Sequence, residues 1–262
     1  MNDQTAGGGL DPGTEGIVRI AAAGDLHARE GMDEQLRKSF DALRGRAEVV
    51  LLAGDLTTCG DPKEARVLAE ACSGLEIPAI AVLGNHDWHL DRAEEISEVL
   101  SDAGVVVLDR ASTIVEAAGL RIGVAGAKGF VGGFPGSHLP DFGEPALRMV
   151  YAEATAEVKG IARGLQEIST CELRIVLLHY SPSEETLVGE PEGIWAFLGT
   201  DRMAAPIREH EPDLVLHGHA HVGSLEGSIG SVPVYNVSVP VIGKDFWIFE
   251  LTGVREAAPP VH

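Results

Sequence analysis

Along the chain, short apolar runs alternate with stretches in which apolar residues recur every three or four positions. The runs at 17–23, 49–53 and 79–83 are almost wholly apolar, which predicts strands buried on both faces. Between and after them, 32–44, 62–73 and 92–103 predict amphipathic helices. In the first of these, Leu36, Phe40 and Leu43 share one face. A short strand follows at 105–108. This β-α-β-α-β rhythm predicts largely parallel strands covered by helices. The segments 113–117 and 121–125, separated by Ala118-Gly119-Leu120, predict a hairpin. Over 144–168, Leu147, Val150, Ala154, Val158, Ile161, Leu165 and Ile168 keep a spacing of three and four, the pattern of one long helix packed on a sheet. Further strands are expected at 174–178, 214–216, 232–236 and 246–251, with a helix at 202–209.

The periodicity stops between 126 and 143, where six glycines, Phe130, Phe134, two prolines and His138 exclude a regular helix. Such a long loop inside a compact domain is usually functional. Residues 1–16 and 255–262 read as flexible tails around a single domain at 17–254.

A chain of 262 residues with 45% hydrophobic content can bury a sizeable core. No apolar run approaches the ~18 residues of a membrane span, and the polar N-terminus has no signal-peptide pattern. Cys59, Cys72 and Cys171 are odd in number and widely spaced, so neither a disulfide framework nor a thiolate zinc site is expected, and a reducing cytoplasm is the simplest setting. The formal charge of −20 changes the picture more. It repels a phosphate polyanion, so a nucleic-acid polymer is not an expected partner. A small anionic substrate needs a local positive centre, and metal ions supply one.

Candidates for that centre recur at strand ends. The first strand ends in Gly24-Asp25-Leu26-His27, the second in Gly54-Asp55 and the third in Gly84-Asn85-His86-Asp87. The strand after the long helix ends in His179, and the next in His217-Gly218-His219-Ala220-His221. A Gly-Asp pair alone is a common turn, and a lone buried histidine is most often structural. Five clusters, each directly after a strand, are a different matter, because α/β sheets place their ligand sites at the carboxyl ends of strands. Imidazoles mixed with carboxylates suit transition metals better than magnesium or calcium. Two divalent ions facing Asp25 and Asp55 would leave about two formal positive charges, enough to override the acidic surface locally.

In these five motifs, D-x-H, G-D, G-N-H-[DE], a lone H and G-H-x-H, the chain resembles the calcineurin-like metallophosphoesterase superfamily from residue 17 to about residue 251. The resemblance implies a two-sheet β-sandwich flanked by helices, a four-layer α/β/β/α arrangement with the last two strands in the second sheet. It implies two divalent transition-metal ions (Mn, Fe or Zn). Asp25, His27 and His221 would hold one, Asn85, His179 and His219 the other, and Asp55 would bridge them. It also implies that His86 faces the scissile phosphate without binding metal, with Asp87 as its orienting partner. The expected reaction is hydrolysis of a small phosphodiester or phosphomonoester, a nucleotide among the candidates, by a metal-bridging hydroxide. Lys128, Phe134 and His138 in the glycine-rich loop are candidate substrate contacts. The sequence Leu178-His179-Tyr180-Ser181-Pro182 departs from the His-His-Pro-Pro common among bacterial cyclic-nucleotide phosphodiesterases of the superfamily, which argues against that substrate. His217 is expected to support the site by a hydrogen bond, and His89 to lie near its mouth.

Overall fold

A computed structural model of the protein describes residues 15–254. The tails expected at 1–16 and 255–262 therefore lie almost wholly outside the described residues, except that Glu15 and Gly16 join the first strand. The first half runs β1 (Glu15–Ala23), α1 (Asp33–Asp41), β2 (Val49–Ala53), α2 (Pro62–Cys72), β3 (Ala79–Val82), α3 (Ala93–Asp102) and β4 (Val105–Val107). A hairpin, β5 (Ala111–Ala117) and β6 (Leu120–Ala127), leads through the long loop to α4 (Pro145–Glu167). Then come β7 (Leu173–Leu178), the short α5 (Trp195–Leu198), α6 (Ala204–His210) and β8 (Leu214–His217). The described chain closes with β9 (Glu226–Ile229), β10 (Val232–Asn236), a turn of helix α7 (Val239–Ile242) and β11 (Trp247–Val254).

Among the described residues the strands form two mixed sheets, ordered β11-β1-β2-β3-β4 and β5-β6-β7-β8-β10-β9. The pleat of two explains how they stack. Val18, Ile20 and Ala22 of β1 point inward and meet Leu120, Ile122, Val124, Ile175 and Leu216 of the second sheet. Ala21 and Ala23 point the other way, with Val50 and Leu52, against Leu36, Phe40, Leu68, Ile96 and Leu100 of α1–α3. The outer face of the second sheet, including Ala125, Val176 and Val215, packs on Ile161 and Leu165 of α4 and Ile207 of α6. The result is four layers, helix, sheet, sheet, helix. Both faces of the central strands are covered, which is why β2 reads as an unbroken apolar run.

One expectation is corrected. β10 joins the second sheet, but β11 does not. It pairs antiparallel with β1 of the first sheet, Arg19 opposite Glu250. Beside β10 the second sheet is completed by β9, Val232 opposite Ile229. The chain after β10 crosses at Gly24, whose N–H donates to the Val237 carbonyl and whose carbonyl accepts from Val239. From there the open edge beside β1 is the one within reach.

Candidate metal centre

The carboxyl ends of β1, β2, β3, β7 and β8 bring all the motif residues to one edge of the sandwich. Asp25, His27, Asp55 and His221 offer ligand atoms that lie within 4.8 Å of one another, and Asp55, His179 and His219 form a second such group. Asp55 is common to both. Its two oxygens divide between them: Oδ1 lies 3.3 Å from His179 Nε2, and Oδ2 lies 3.9 Å from His27 Nε2. Asn85 joins the second group, with Oδ1 2.9 Å from His179 Nε2.

The geometry of His179 tests whether a cation fits. This residue is buried, and its Nδ1 faces the Ala53 carbonyl at 2.9 Å. That contact requires the proton on Nδ1, so in the neutral ring Nε2 carries a lone pair. The lone pair points at two further acceptors, Asn85 Oδ1 and Asp55 Oδ1. The His86 backbone N–H donates to Asp55 Oδ1 from one side at 2.8 Å, but no proton lies between the ring and the two oxygens, and a divalent cation among these three acceptors relieves their repulsion. His219 is arranged similarly: Nε2 lies 3.2 Å from the Phe197 carbonyl, which leaves Nδ1 as the free ligand atom. These donors fit a metal.

The backbone bends to make this possible. Asp25, His27, Asp55 and His219 all sit at positive φ, between 44° and 70°, which non-glycine residues rarely adopt. Such strain collects at functional sites because the surrounding fold over-determines it. Two glycines make room. A Cβ on Gly84 would land inside the Asp55 carboxylate, and one on Gly54, itself at φ 79°, would sit 2.6 Å from the His179 ring.

Electrostatics follow from burial and pairing. Burial opposes ionisation of Asp25, but the His221 hydrogen bond, the His221 charge and the His219 N–H outweigh it and hold the carboxyl at about 2. His221 is pushed up by the same 2.8 Å hydrogen bond. Burial drives His219 down to about 3 and His217 to about 4, so both rings stay neutral, the form that ligates metal or accepts hydrogen bonds. His217 binds no ligand-set residue through its ring. It bridges the Gly218 carbonyl and Thr186 Oγ1, both at 2.8 Å, and so pins the loop that carries His219.

Three role assignments change. Asp87 does not orient His86. Its buried carboxylate accepts from the N–H groups of Leu56, Thr57 and Gly84 and from Thr57 Oγ1, tying the Asp55 loop to the Asn85 loop. The His86 ring is held instead by the Thr58 carbonyl, 2.7 Å from Nδ1, with Nε2 3.9 Å from Asp55 Oδ2. Phe134 does not face a substrate. It is 1% exposed and packs with Leu187, Leu198 and Ala220 beneath the His219–His221 turn. The glycine-rich loop is anchored there because Gly132 and Gly133 donate to carbonyls of the α5 segment, and an apolar ring on that side has nowhere to go but inward. His138 pairs with Asp201 at 2.9 Å and takes no part in the cavity beside Asn85. Lys128 does. That cavity, about 270 Å³, is lined by Asn85, Trp88, Lys128, Phe130, Glu153 and Tyr180. Of these, Trp88, Glu153 and Tyr180 were not legible as site residues, although Trp88 follows Asp87 directly and Tyr180 follows His179. The Tyr180 ring lies 4.4 Å from that of His219, and burial pushes its phenol up. His89 is exposed, its ring 4.3 Å from that of His86.

The family model for calcineurin-like phosphoesterases matches residues 18–223, the stretch that contains every one of these motifs. The chain belongs to that family. Its members usually bind divalent metals, and the two Asp/His groups here could hold them. Solved structures with the same fold include a phosphopantetheinyl hydrolase from Mycobacterium tuberculosis. It is 15% identical, with TM-score 0.61 over 84% of this chain and 88% of that one. They also include a putative 5'-nucleotidase from Staphylococcus aureus, 12% identical, with TM-score 0.56 over 93% of this chain and 55% of that one. The protein TT1561 of Thermus thermophilus is 19% identical, with TM-score 0.51 over 92% of this chain and 100% of that one. At these identities the likeness is one of fold. A search of curated protein sequences found no match. Among the described residues, no helix is long and apolar enough to cross a membrane.

Proposed function

We propose that this member of the family is a binuclear metal-dependent hydrolase of a small phosphodiester or phosphomonoester. The observation that carries the reading is Asp55, whose two oxygens face two separate ligand groups. Asp25, His27 and His221 would hold one ion with Asp55, and Asn85, His179 and His219 the other. When bound, the metals supply Lewis acidity and a water of lowered pKa. The chain does the rest. Asp25 and Asp55 would cancel only part of the charge of two bound ions, and the remainder would draw the phosphate to this edge against the acidic surface. His86 has Nδ1–H fixed on the Thr58 carbonyl, and in its imidazolium form the second proton, on Nε2 turned toward the centre, passes to the departing oxygen and leaves the ring neutral. Asp87 holds the two loops in register while this happens.

The test is a phosphoester panel with manganese, iron or zinc added back to stripped protein, run beside elemental analysis. The expected result is two ions per chain and metal-dependent release of phosphate or of an alcohol. One ion per chain under metal-replete conditions would sink the binuclear reading. No turnover of any ester at full metal loading would sink the hydrolase reading.

A further inference from the structure

The cavity beside Asn85 is chemically unlike the metal centre it opens on. Three of its six lining residues are aromatic: Trp88, which is 45% exposed, Phe130 and Tyr180, the last two with ring centroids 6.1 Å apart. One cation, Lys128, stands among them. Its Nζ lies 4.4 Å from the Phe130 ring centre and 5.4 Å from that of Tyr180, and it donates to the Gly129 carbonyl at 3.1 Å. An ammonium has three donors, so two remain for a ligand.

The local charge narrows the choice. Glu153, also in the lining, pairs with Arg110, and behind it lies the buried Glu157, which binds the same Arg110 and the Gly129 N–H, each at 2.9 Å, so the two cations Lys128 and Arg110 face two carboxylates. The cavity thus has no surplus positive charge for a second phosphate. It offers flat apolar walls, a directed donor and a carboxylate acceptor. Those features match an uncharged planar ring with hydrogen-bonding edges.

Building on the hydrolase reading, we propose that this cavity receives a heteroaromatic ring of the substrate, so that the ester is of the nucleoside type with a single phosphate. Trp88, Phe130 and Tyr180 contact the ring faces, and Lys128 donates to a ring nitrogen or carbonyl. Asn85 lines the cavity and also faces the His179 and Asp55 ligand group, so the phosphate would lie on that side and the ring beyond it.

The experiment compares adenosine 5'-monophosphate with ribose 5-phosphate, as monoesters and as their methyl diesters. The departing oxygen is the same in each pair, and only the base differs. Non-hydrolysable methylenephosphonate analogues of both monoesters are titrated calorimetrically into the metal-loaded protein. Expected is a preference of about fivefold or more for the base-bearing compound in both kcat/KM and binding, the lower end for one stacked base. The preference should fall toward one in the Trp88→Ala/Phe130→Ala double variant and shrink in Lys128→Met, a substitution that keeps the unbranched stem and removes the ammonium. Circular dichroism and metal content guard against misfolding. Equal binding of the two analogues by the wild type, or a preference that survives in the double variant, overturns the proposal. Hydrolysis without base preference overturns it too and leaves the hydrolase reading standing. Base-selective binding that the variants abolish, with no ester hydrolysed, supports the pocket and removes the hydrolase.

Discussion

Replacing Asp87 by Asn changes one oxygen into an NH2 group and little else in shape, so its effect follows from the hydrogen bonds alone. Oδ2 accepts from the N–H groups of Leu56 at 3.1 Å and Gly84 at 2.8 Å, while Oδ1 accepts from Thr57 N at 2.8 Å and Thr57 Oγ1 at 2.6 Å. If the new NH2 took the Oδ2 side, two backbone donors would face a donor. On the Oδ1 side, the Thr57 hydroxyl can rotate to accept from it, and only the Thr57 N–H is orphaned. The variant adopts the second arrangement. One buried unsatisfied N–H costs about 1–3 kcal/mol. Removal of the charge returns part of this, because burial already pushes the Asp87 carboxyl up against its hydrogen bonds. A net loss of about 2 kcal/mol is expected. Asp87→Ala strands three backbone donors together and should lose about 4 kcal/mol or more. Urea unfolding of the metal-free proteins measures both, without the stabilisation that bound ions add. Because the clamped segments flank Asp55 and Asn85, metal affinity should fall in the same order, read by competition with a chelator. Asp87→Asn within about 0.5 kcal/mol of wild type, at unchanged affinity, would refute the clamp.

Four further outcomes follow from the same geometry. Asp55→Ala removes the oxygens shared by both groups and should lose both ions together by elemental analysis; retention of one full equivalent would contradict the bridge. His86→Ala should slow esters with poor alkoxide leaving groups by about 10²–10⁴-fold and p-nitrophenyl esters much less, at unaltered metal content; equal penalties with chemistry rate-limiting would assign His86 to the phosphoryl oxygens instead. Phe134→Ala empties a fully packed place and should cost about 3–5 kcal/mol in unfolding experiments, whereas a change confined to substrate selectivity would contradict its burial. The His217 ring takes a proton only near 4 in the folded state, against 6.5 for a free histidine side chain. The unfolded chain therefore binds the extra proton first, and acid drains stability between about pH 6.5 and 4, by about 3 kcal/mol in all. His217→Gln should lack this component, and identical pH profiles for variant and wild type in urea titrations would exclude it.

What the sequence determined was local and periodic. The helix at 144–168 is observed as Pro145–Glu167, because its apolar stripe spans so many turns that no other element fits it. The five motifs were equally legible, since each follows an apolar run whose end must reach the sheet edge, and the structure brings all of their residues to that edge. Pairing between distant segments was another matter. The apolar run of β11 is compatible with either sheet. Its place beside β1 was decided by the crossing at Gly24, which brings the chain after β10 to the end of β1. Phe134 and Phe130 lie four residues apart in one glycine-rich loop and look alike in sequence. One is sealed beneath the His219–His221 turn and the other lines the cavity, a distinction set by which loop carbonyls capture Gly132 and Gly133. The partners of Asp87 show the same division. Its place beside His86 suggested that it steadies its neighbour, but its carboxylate takes, besides the nearby Gly84 N–H, those of Leu56 and Thr57 some thirty residues away in sequence, which became neighbours only when β2 and β3 paired. Sequence carries the chemistry a residue can do, and the fold decides on whom it is done, because a hydrogen bond is satisfied by whatever donor the packing brings within reach.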